Sequence, residues 1–333
     1  MRSRFLACIY LLALLFNVCA VGCSRQSDQL KDVAGVSVLE VEHGPSTTFE
    51  ELAWSPNGRY MAARVYAGRG NSTVTVIDLQ TGESQRLYES GGDGFHGPEW
   101  SPDGRALVFH ISSSPVSPLG GGPVEMIPPY NIIVADAVTG QVIRDLGFGS
   151  YATWTNDPER IIVLGQGQGA CEKEISIDEY DLASNETRTI GHTGTCWPEA
   201  IDSLDASAKG KLVVPSIDGT NNQILDIVSG DKLGAITPIR GSTVWSPDGT
   251  MLAFIAKELD SSVGTDGIML ASSNGVCFSN PLRLHSYLYS VDWSPDGSRL
   301  VFSNRDVNRL YFVDLTTGVG KELMDSYRER CTS

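Results

Sequence analysis

Trp245-Ser246-Pro247-Asp248-Gly249-Thr250 is the stretch whose reading decides the fold, because it recurs. The same pattern stands at Trp54-Ser55-Pro56-Asn57-Gly58-Arg59, at Trp100-Ser101-Pro102-Asp103-Gly104-Arg105 and at Trp293-Ser294-Pro295-Asp296-Gly297-Ser298. Two degraded copies fill the interval, Trp154-Thr155-Asn156-Asp157-Pro158-Glu159-Arg160 and Ala206-Ser207-Ala208-Lys209-Gly210-Lys211. Each copy has the chemistry of a hairpin turn. Proline presets φ at the first central position, Asp favours the second, and Gly takes the left-handed position that lets the chain return.

A second motif alternates strictly with the first. It stands at Asp78-Leu79-Gln80-Thr81-Gly82, Asp136–Gly140, Asp181–Asn185, Asp226–Gly230, Ala271–Gly275 and Asp314–Gly318, and successive copies lie 58, 45, 45, 45 and 43 residues apart. Between the turns run β-rich segments such as Ala106–Ile111, Asn131–Asp136, Ile175–Tyr180, Met251–Ala256 and Leu310–Asp314. Each unit therefore reads as four short antiparallel strands, and no sustained helical period is visible after the N-terminal region. Six such units predict an all-β fold, a single six-bladed β-propeller of four-stranded antiparallel blades. Val36–Glu42 matches the fourth-strand segments Ser84–Ser90 and Gly320–Asp325, so seven such segments serve six blades. The N-terminal one is expected to close the last blade and remove an open edge.

The Trp-Ser-Pro-Asp-Gly repeats resemble the WD40-like repeats of the TolB-like propeller family over residues 36–325. The resemblance implies a propeller that works by protein–protein contact in the cell envelope. It does not carry a function over by itself, because no counterpart of the α/β domain or peptidase body of relatives is expected beside the propeller.

The first residues read as a secretory signal. Arg2 and Arg4 make a basic start, and Phe5–Phe16 is an apolar run too short to cross a bilayer, which takes about 20 residues. Ala20-Val21-Gly22-Cys23 resembles the lipobox of bacterial lipoproteins, which implies lipidation of Cys23; the alternative is cleavage after Ala20. Ser24 after the cysteine implies export to the outer membrane, facing the periplasm, against a soluble periplasmic or secreted protein as the alternative. The expected organisation is a signal peptide at 1–22, a lipidated cysteine and short tether at 23–35, the propeller at 36–325 and a C-terminal tail at 326–333.

The net charge of −15 becomes −17 once residues 1–22 are removed. That excludes nucleic acid, whose phosphates demand clustered Lys and Arg. Of the seven cysteines, Cys171 and Cys196 flank one predicted strand pair and are the preferred disulfide, with Cys277–Cys331 as a second pairing. No CxxC pair, GxSxG elbow or HExxH helix is present, and no catalytic residue is assigned.

Propeller strand order divides the loops between two faces. The stereotyped turns join strands 1 to 2 and 3 to 4 on one face. The irregular connections from 2 to 3 and from 4 to the next blade lie on the other, which is the expected binding face. All five histidines map there, with His43 and His110 joining the candidate binding residues Phe95, His96, Tyr130, His192, Trp197, His285 and Tyr287. Glu99, Asp205 and Asp292 each precede a strand-1 anchor and are expected to line the channel as an acidic ring; no cofactor is predicted beyond a channel cation such as Ca2+ there. The expected function is an interaction or scaffolding module with an envelope protein partner. The alternative is an enzyme or a small-ligand or metal-binding propeller using the channel mouth on the irregular face.

Overall fold

In the computed structural model each Ser-Pro turn closes a hairpin by one hydrogen-bond scheme. The Ser101 hydroxyl donates to Asp103 Oδ1 at 2.7 Å and accepts the Ala106 N–H at 2.9 Å, while Asp103 Oδ1 accepts the Arg105 N–H. Ser246–Asp248 and Ser294–Asp296 repeat it, with Ser–Asp distances of 2.6 Å in both. These bonds favour the ionised carboxylate, and they hold Asp296 down at about 2. The turn acids are hairpin caps. The structure describes residues 30 and 32–332, except 44–46, 67–71, 91–94, 113–129, 150, 166–174, 194–203, 216–221, 237–242, 261–264, 285 and 307.

The hairpins assemble into six four-stranded antiparallel sheets. Blade 1 is β2 (Thr48–Trp54), β3 (Tyr60–Tyr66), β4 (Ser72–Asp78) and β5 (Ser84–Ser90), and blade 2 is β6 (Phe95–Trp100), β7 (Ala106–Ser112), β8 (Tyr130–Asp136) and β9 (Val142–Phe148). Blade 3 comprises β10 (Tyr151–Trp154), β11 (Arg160–Leu164), β12 (Ile175–Asp181) and β13 (Thr187–Thr193); blade 4 comprises β14 (Asp205–Ala206), β15 (Lys211–Pro215), β16 (Asn222–Asp226) and β17 (Lys232–Ile236). Blade 5 is β18 (Thr243–Trp245), β19 (Met251–Asp260), β20 (Thr265–Ser272) and β21 (Leu282–Arg283). Blade 6 takes β22 (Leu288–Trp293), β23 (Arg299–Asn304) and β24 (Arg309–Asp314), and its fourth strand is the N-terminal β1 (Val36–Glu40). β1 pairs β24 with Val36 opposite Val313 and Glu40 opposite Arg309, closing the ring as the surplus N-terminal segment predicts. Each inner strand touches the inner strands of both neighbouring blades, so the ring is continuous.

Blades pack face to face through buried aliphatic and aromatic side chains. At the closing seam Val301, Leu310 and Phe312 of blade 6 meet Trp54, Met61 and Ile77 of blade 1, and the Trp54 and Phe312 rings lie edge to face at 5.4 Å. The recurrent tryptophans also bond across seams. Trp100, Trp154 and Trp245 donate their indole N–H to the backbone carbonyls of Ala53, Glu99 and Asp205 in the preceding blades. The glycines of the second motif do more than turn the chain. A Cβ on Gly140 would lie 2.5 Å from the Leu87 carbonyl oxygen of blade 1, and one on Gly230 would lie 2.3 Å from that of Ile190 in blade 3. Both positions have φ near +70° and leave no space for a side chain.

The C-terminus departs from expectation. Gly320–Asp325 is not a strand: Gly318–Cys331 forms helix α1, which takes in most of the expected tail at 326–333. β1 already occupies the fourth-strand position of blade 6, so this segment has no sheet edge to join. Leu323 and Tyr327, four residues apart, bury one side of the helix, and Asp325 pairs with Lys321 and Arg328 on the other. A Cys277–Cys331 disulfide fastens the helix end to the turn after β20, where Arg330 Nε also donates to the Phe278 carbonyl at 2.9 Å. The preferred pair Cys171–Cys196 lies outside the described residues, as does Cys23.

Candidate functional site

The inner strands enclose a channel of about 770 Å³. Its wall runs from Tyr151, Leu204, Thr243 and Leu288, where inner strands begin, to Pro56, Pro102, Pro247 and Pro295 in the Ser-Pro turns. The turns assigned a purely structural role by sequence thus also form the rim of the cavity.

Three carboxylates project into this channel. Glu99, Asp205 and Asp292 occupy the residue before the anchor position on the inner strands of blades 2, 4 and 6, and all three line the cavity. Each accepts a backbone N–H from the next blade. Asp292 Oδ2 takes that of Trp54 at 2.6 Å, Asp205 Oδ2 takes that of Trp245 at 2.6 Å, and Glu99 takes that of Trp154. The intervening blades carry Ala53, Thr153 and Val244 at this position. The arrangement is therefore three-fold, with one carboxylate clasp at every second seam.

Their residual accessible surface faces the narrow channel, so the charged forms lack most of their hydration. Burial raises Asp205 to about 8, helped by the charge of Asp292, and raises Asp292 to about 7. Glu99 is pushed well above the usual carboxylate range by burial and then by repulsion from Asp205 and Asp292. The backbone N–H bonds oppose these shifts and are outweighed. Near neutral pH the ring therefore retains protons that ordinary surface carboxylates would have lost. Among the described residues, no three His, Cys, Asp or Glu side chains lie close enough to chelate a metal ion together.

Sequence reasoning missed a second charged group in the channel. Glu51 sits at a bulge in β2 with φ +49°, a strained value for a non-glycine residue. Its carboxylate accepts the Gly97 N–H of blade 2, and Arg64 bridges Glu50 at 3.2 Å and Glu51 at 3.4 Å. The adjacent pair Glu50-Glu51 at the head of an inner strand was the available signal.

The proposed irregular-loop residues fare unevenly. Tyr287 is 41% exposed, with the Arg305 guanidinium 4.2 Å from its ring centroid, and His192 is exposed on β13. Phe95, His96 and Tyr130 begin strands β6 and β8, of which the backbone is described. Trp197 and His285 lie outside the described residues. His110 does not belong to a binding face: it is buried in β7, edge to face with Tyr151 at 5.1 Å, and is a packed core histidine.

No family model matches the chain. The Tol-Pal system protein TolB of Xanthomonas oryzae pv. oryzae is 26% identical over 184 residues, which make up 54% of this chain and 35% of that relative. The crystal structure of TolB from Acinetobacter baumannii superposes with a TM-score of 0.51 at 19% identity, over 85% of this chain and 55% of that one. The chain is a six-bladed β-propeller that is similar to TolB over these spans. It aligns with about a third of the curated relative's length. Two further solved structures share the propeller fold at lower identity. Hydrazine synthase of Kuenenia stuttgartiensis has a TM-score of 0.54 at 17% identity, covering 87% of this chain and 85% of that one. A chain of a nidogen–laminin complex has a TM-score of 0.51 at 12%, covering 72% and 81%.

Proposed function

We propose that this propeller is a protein-binding module of the bacterial cell envelope, and that a partner segment carrying a cationic side chain seats in the acidic channel. The observation that carries the reading is the channel itself. It combines a rim of Pro rings, which offers apolar contact area, with three poorly hydrated carboxylates at depth. An inserted ammonium or guanidinium would replace the missing hydration and offset the repulsion among the acids. A hydrated divalent cation such as Ca2+ would meet the same three groups. Likeness to a Tol-Pal system protein supports an envelope setting, and the propeller-containing nidogen–laminin complex is an instance of the fold in a protein assembly. Lipidation at Cys23 and attachment to the outer membrane, facing the periplasm, complete the proposed setting.

The test is photocrosslinking in cells from Asn156 and Ala208, exposed turn residues that line the cavity, with Tyr287 reporting on the irregular face and Ile143 on an outer strand as control. Discrete protein adducts from Asn156 and Ala208 that weaken in Asp205→Asn support channel seating. Adducts from Tyr287 alone move the interface to the irregular loops. Absence of protein adducts from both faces overturns the protein-binding reading. Calorimetric titration with Ca2+ at pH 8 tests the cation in the same channel.

A further inference from the structure

A second cavity, outside the channel, lies where the closing segment leaves β1 and passes the outer strand of blade 1. It measures about 530 Å³ and is lined by Glu42, His43, Ser84 and Arg86. The backbone builds it in two steps. Glu42 pairs as an isolated bridge with Glu83, and its N–H donates to the Gly82 carbonyl at 3.0 Å, which pins the segment against the turn before β5. Ser84 and Arg86 then alternate along β5 and share one face of that strand, whereas Gln85 turns the other way to donate to the Val138 carbonyl of blade 2.

The polar atoms form a directed chain. The Ser84 hydroxyl donates to the Glu42 carbonyl at 2.7 Å, so it receives the bond from His43 Nδ1 at 2.9 Å as an acceptor. That fixes the imidazole proton on Nδ1 and leaves Nε2 unprotonated. Arg86 is exposed, and among the described residues it makes no ion pair. We propose that His43, oriented by Ser84, and Arg86 form an oxyanion site that binds a carboxylate or phosphate group at the closing seam.

The guanidinium supplies the charge and a fork of N–H donors suited to two oxygens of such a group. His43 supplies a second contact that is linked to a proton. Burial first, and then the nearby Arg86 charge, lower its proton affinity below the ordinary value, so the ring is neutral while Arg86 stands alone. An oxyanion between the two cancels the effect of Arg86, and Nε2 takes up a proton to donate to it. The groups facing His43 are Arg86 from β5 and Glu42 from its own segment. The Glu42 carboxylate on the cavity wall disfavours a second negative charge, which selects a singly charged group over a dianion.

The experiment follows the imidazole C–H signals of the intact chain by NMR, with His43 assigned through His43→Gln. Phosphate, acetate and chloride are titrated separately at matched ionic strength. The site predicts that phosphate or acetate raises the His43 pKa by about 1 relative to chloride, as an opposite charge within about 6 Å does. Response to acetate but not phosphate assigns a carboxylate ligand, and the converse assigns a phosphate. In Arg86→Gln the chloride value should rise and the anion response should vanish. An equal His43 pKa in all three salts overturns the proposal, as does a response that persists in Arg86→Gln. Neither outcome bears on the channel, whose carboxylates this experiment does not read.

Discussion

Replacing Asp292 by Asn should stabilise the protein most at pH 8, by less at pH 5, and leave it nearly unchanged only below the ordinary carboxylate value of 3.8. The carboxyl titrates near 3.8 in the unfolded chain and at about 7 in the fold, raised by burial in the channel. Between those values the native state binds the proton more tightly than the unfolded state does. Stability therefore declines as pH rises through this window, and the full penalty is present above pH 7. At 1.36 kcal/mol per pH unit, the displacement corresponds to roughly 4 kcal/mol. Asn retains an Oδ1 that accepts the Trp54 N–H now bonded at 2.6 Å, and a neutral acceptor loses about 1 kcal/mol against a charged one. Relaxation of the channel lowers the gain further, so a net stabilisation of about 2 kcal/mol is expected at pH 8. Urea unfolding of both proteins at pH 5 and pH 8, followed by tryptophan fluorescence, measures the difference. Asp292→Ala serves as the control that orphans the Trp54 N–H and should destabilise at both pH values. The reasoning fails if Asp292→Asn destabilises by the same amount at pH 5 and pH 8, since the carboxylate would then be ionised throughout and acting as a net tie.

Asp205→Asn should behave alike, and the double variant with Asp292→Asn should gain less than the sum of the two, because each acid relieves the other; a double-mutant cycle at pH 8 reads the coupling. Removing the Cys277–Cys331 staple with Cys331→Ser opens a loop of 54 residues, with an expected cost of about 4 kcal/mol on loop-closure grounds. The same loss should follow treatment of the wild type with a reductant, seen as a fall in Tm. Gly140→Ala should cost about 2 kcal/mol or more, because it adds a clash with the Leu87 carbonyl to a left-handed backbone. Gly58→Ala, also left-handed but with nothing within 4 Å, should cost about 1 kcal/mol; equal unfolding free energies for the two would refute the role of the seam.

The blades were legible because turn chemistry is local. Ser-Pro-Asp-Gly carries its own hydrogen bonds, so four clear copies and two degraded ones were enough to count six blades and to foresee that Val36–Glu42 closes the ring, of which Val36–Glu40 forms the strand. The channel acids were legible for a related reason: the residue before a strand-1 anchor repeats its position in every blade. What depended on contacts between distant segments was not. Gly320–Asp325 looks like a fourth strand until β1 is seen to hold that place. Sequence offers Cys277–Cys331 only as a second pairing, because the two cysteines meet through a helix that folds back onto blade 5. His110 shares its polarity with the loop histidines, yet lies on a strand face covered by Tyr151. The Glu50–Glu51–Arg64 group needed a bulge in β2 to bring it into the channel, and a bulge leaves little trace in residue type. The glycines of the second motif were read as turn residues, and their closeness to the preceding blade became visible only once the blades were stacked.

The carboxylate clasps at alternate seams give the ring a unit larger than its repeat. Chain and sheet count by ones, whereas the bonds from Asp292 to Trp54, Glu99 to Trp154 and Asp205 to Trp245 count by twos. Excising one blade would set two acid-bearing blades, or two acid-free ones, side by side and strand a donor or a charge at the joint. Excising blades 2 and 3 together, or 4 and 5, would keep every clasp matched. A shortened or lengthened version of this ring should therefore be built in steps of two.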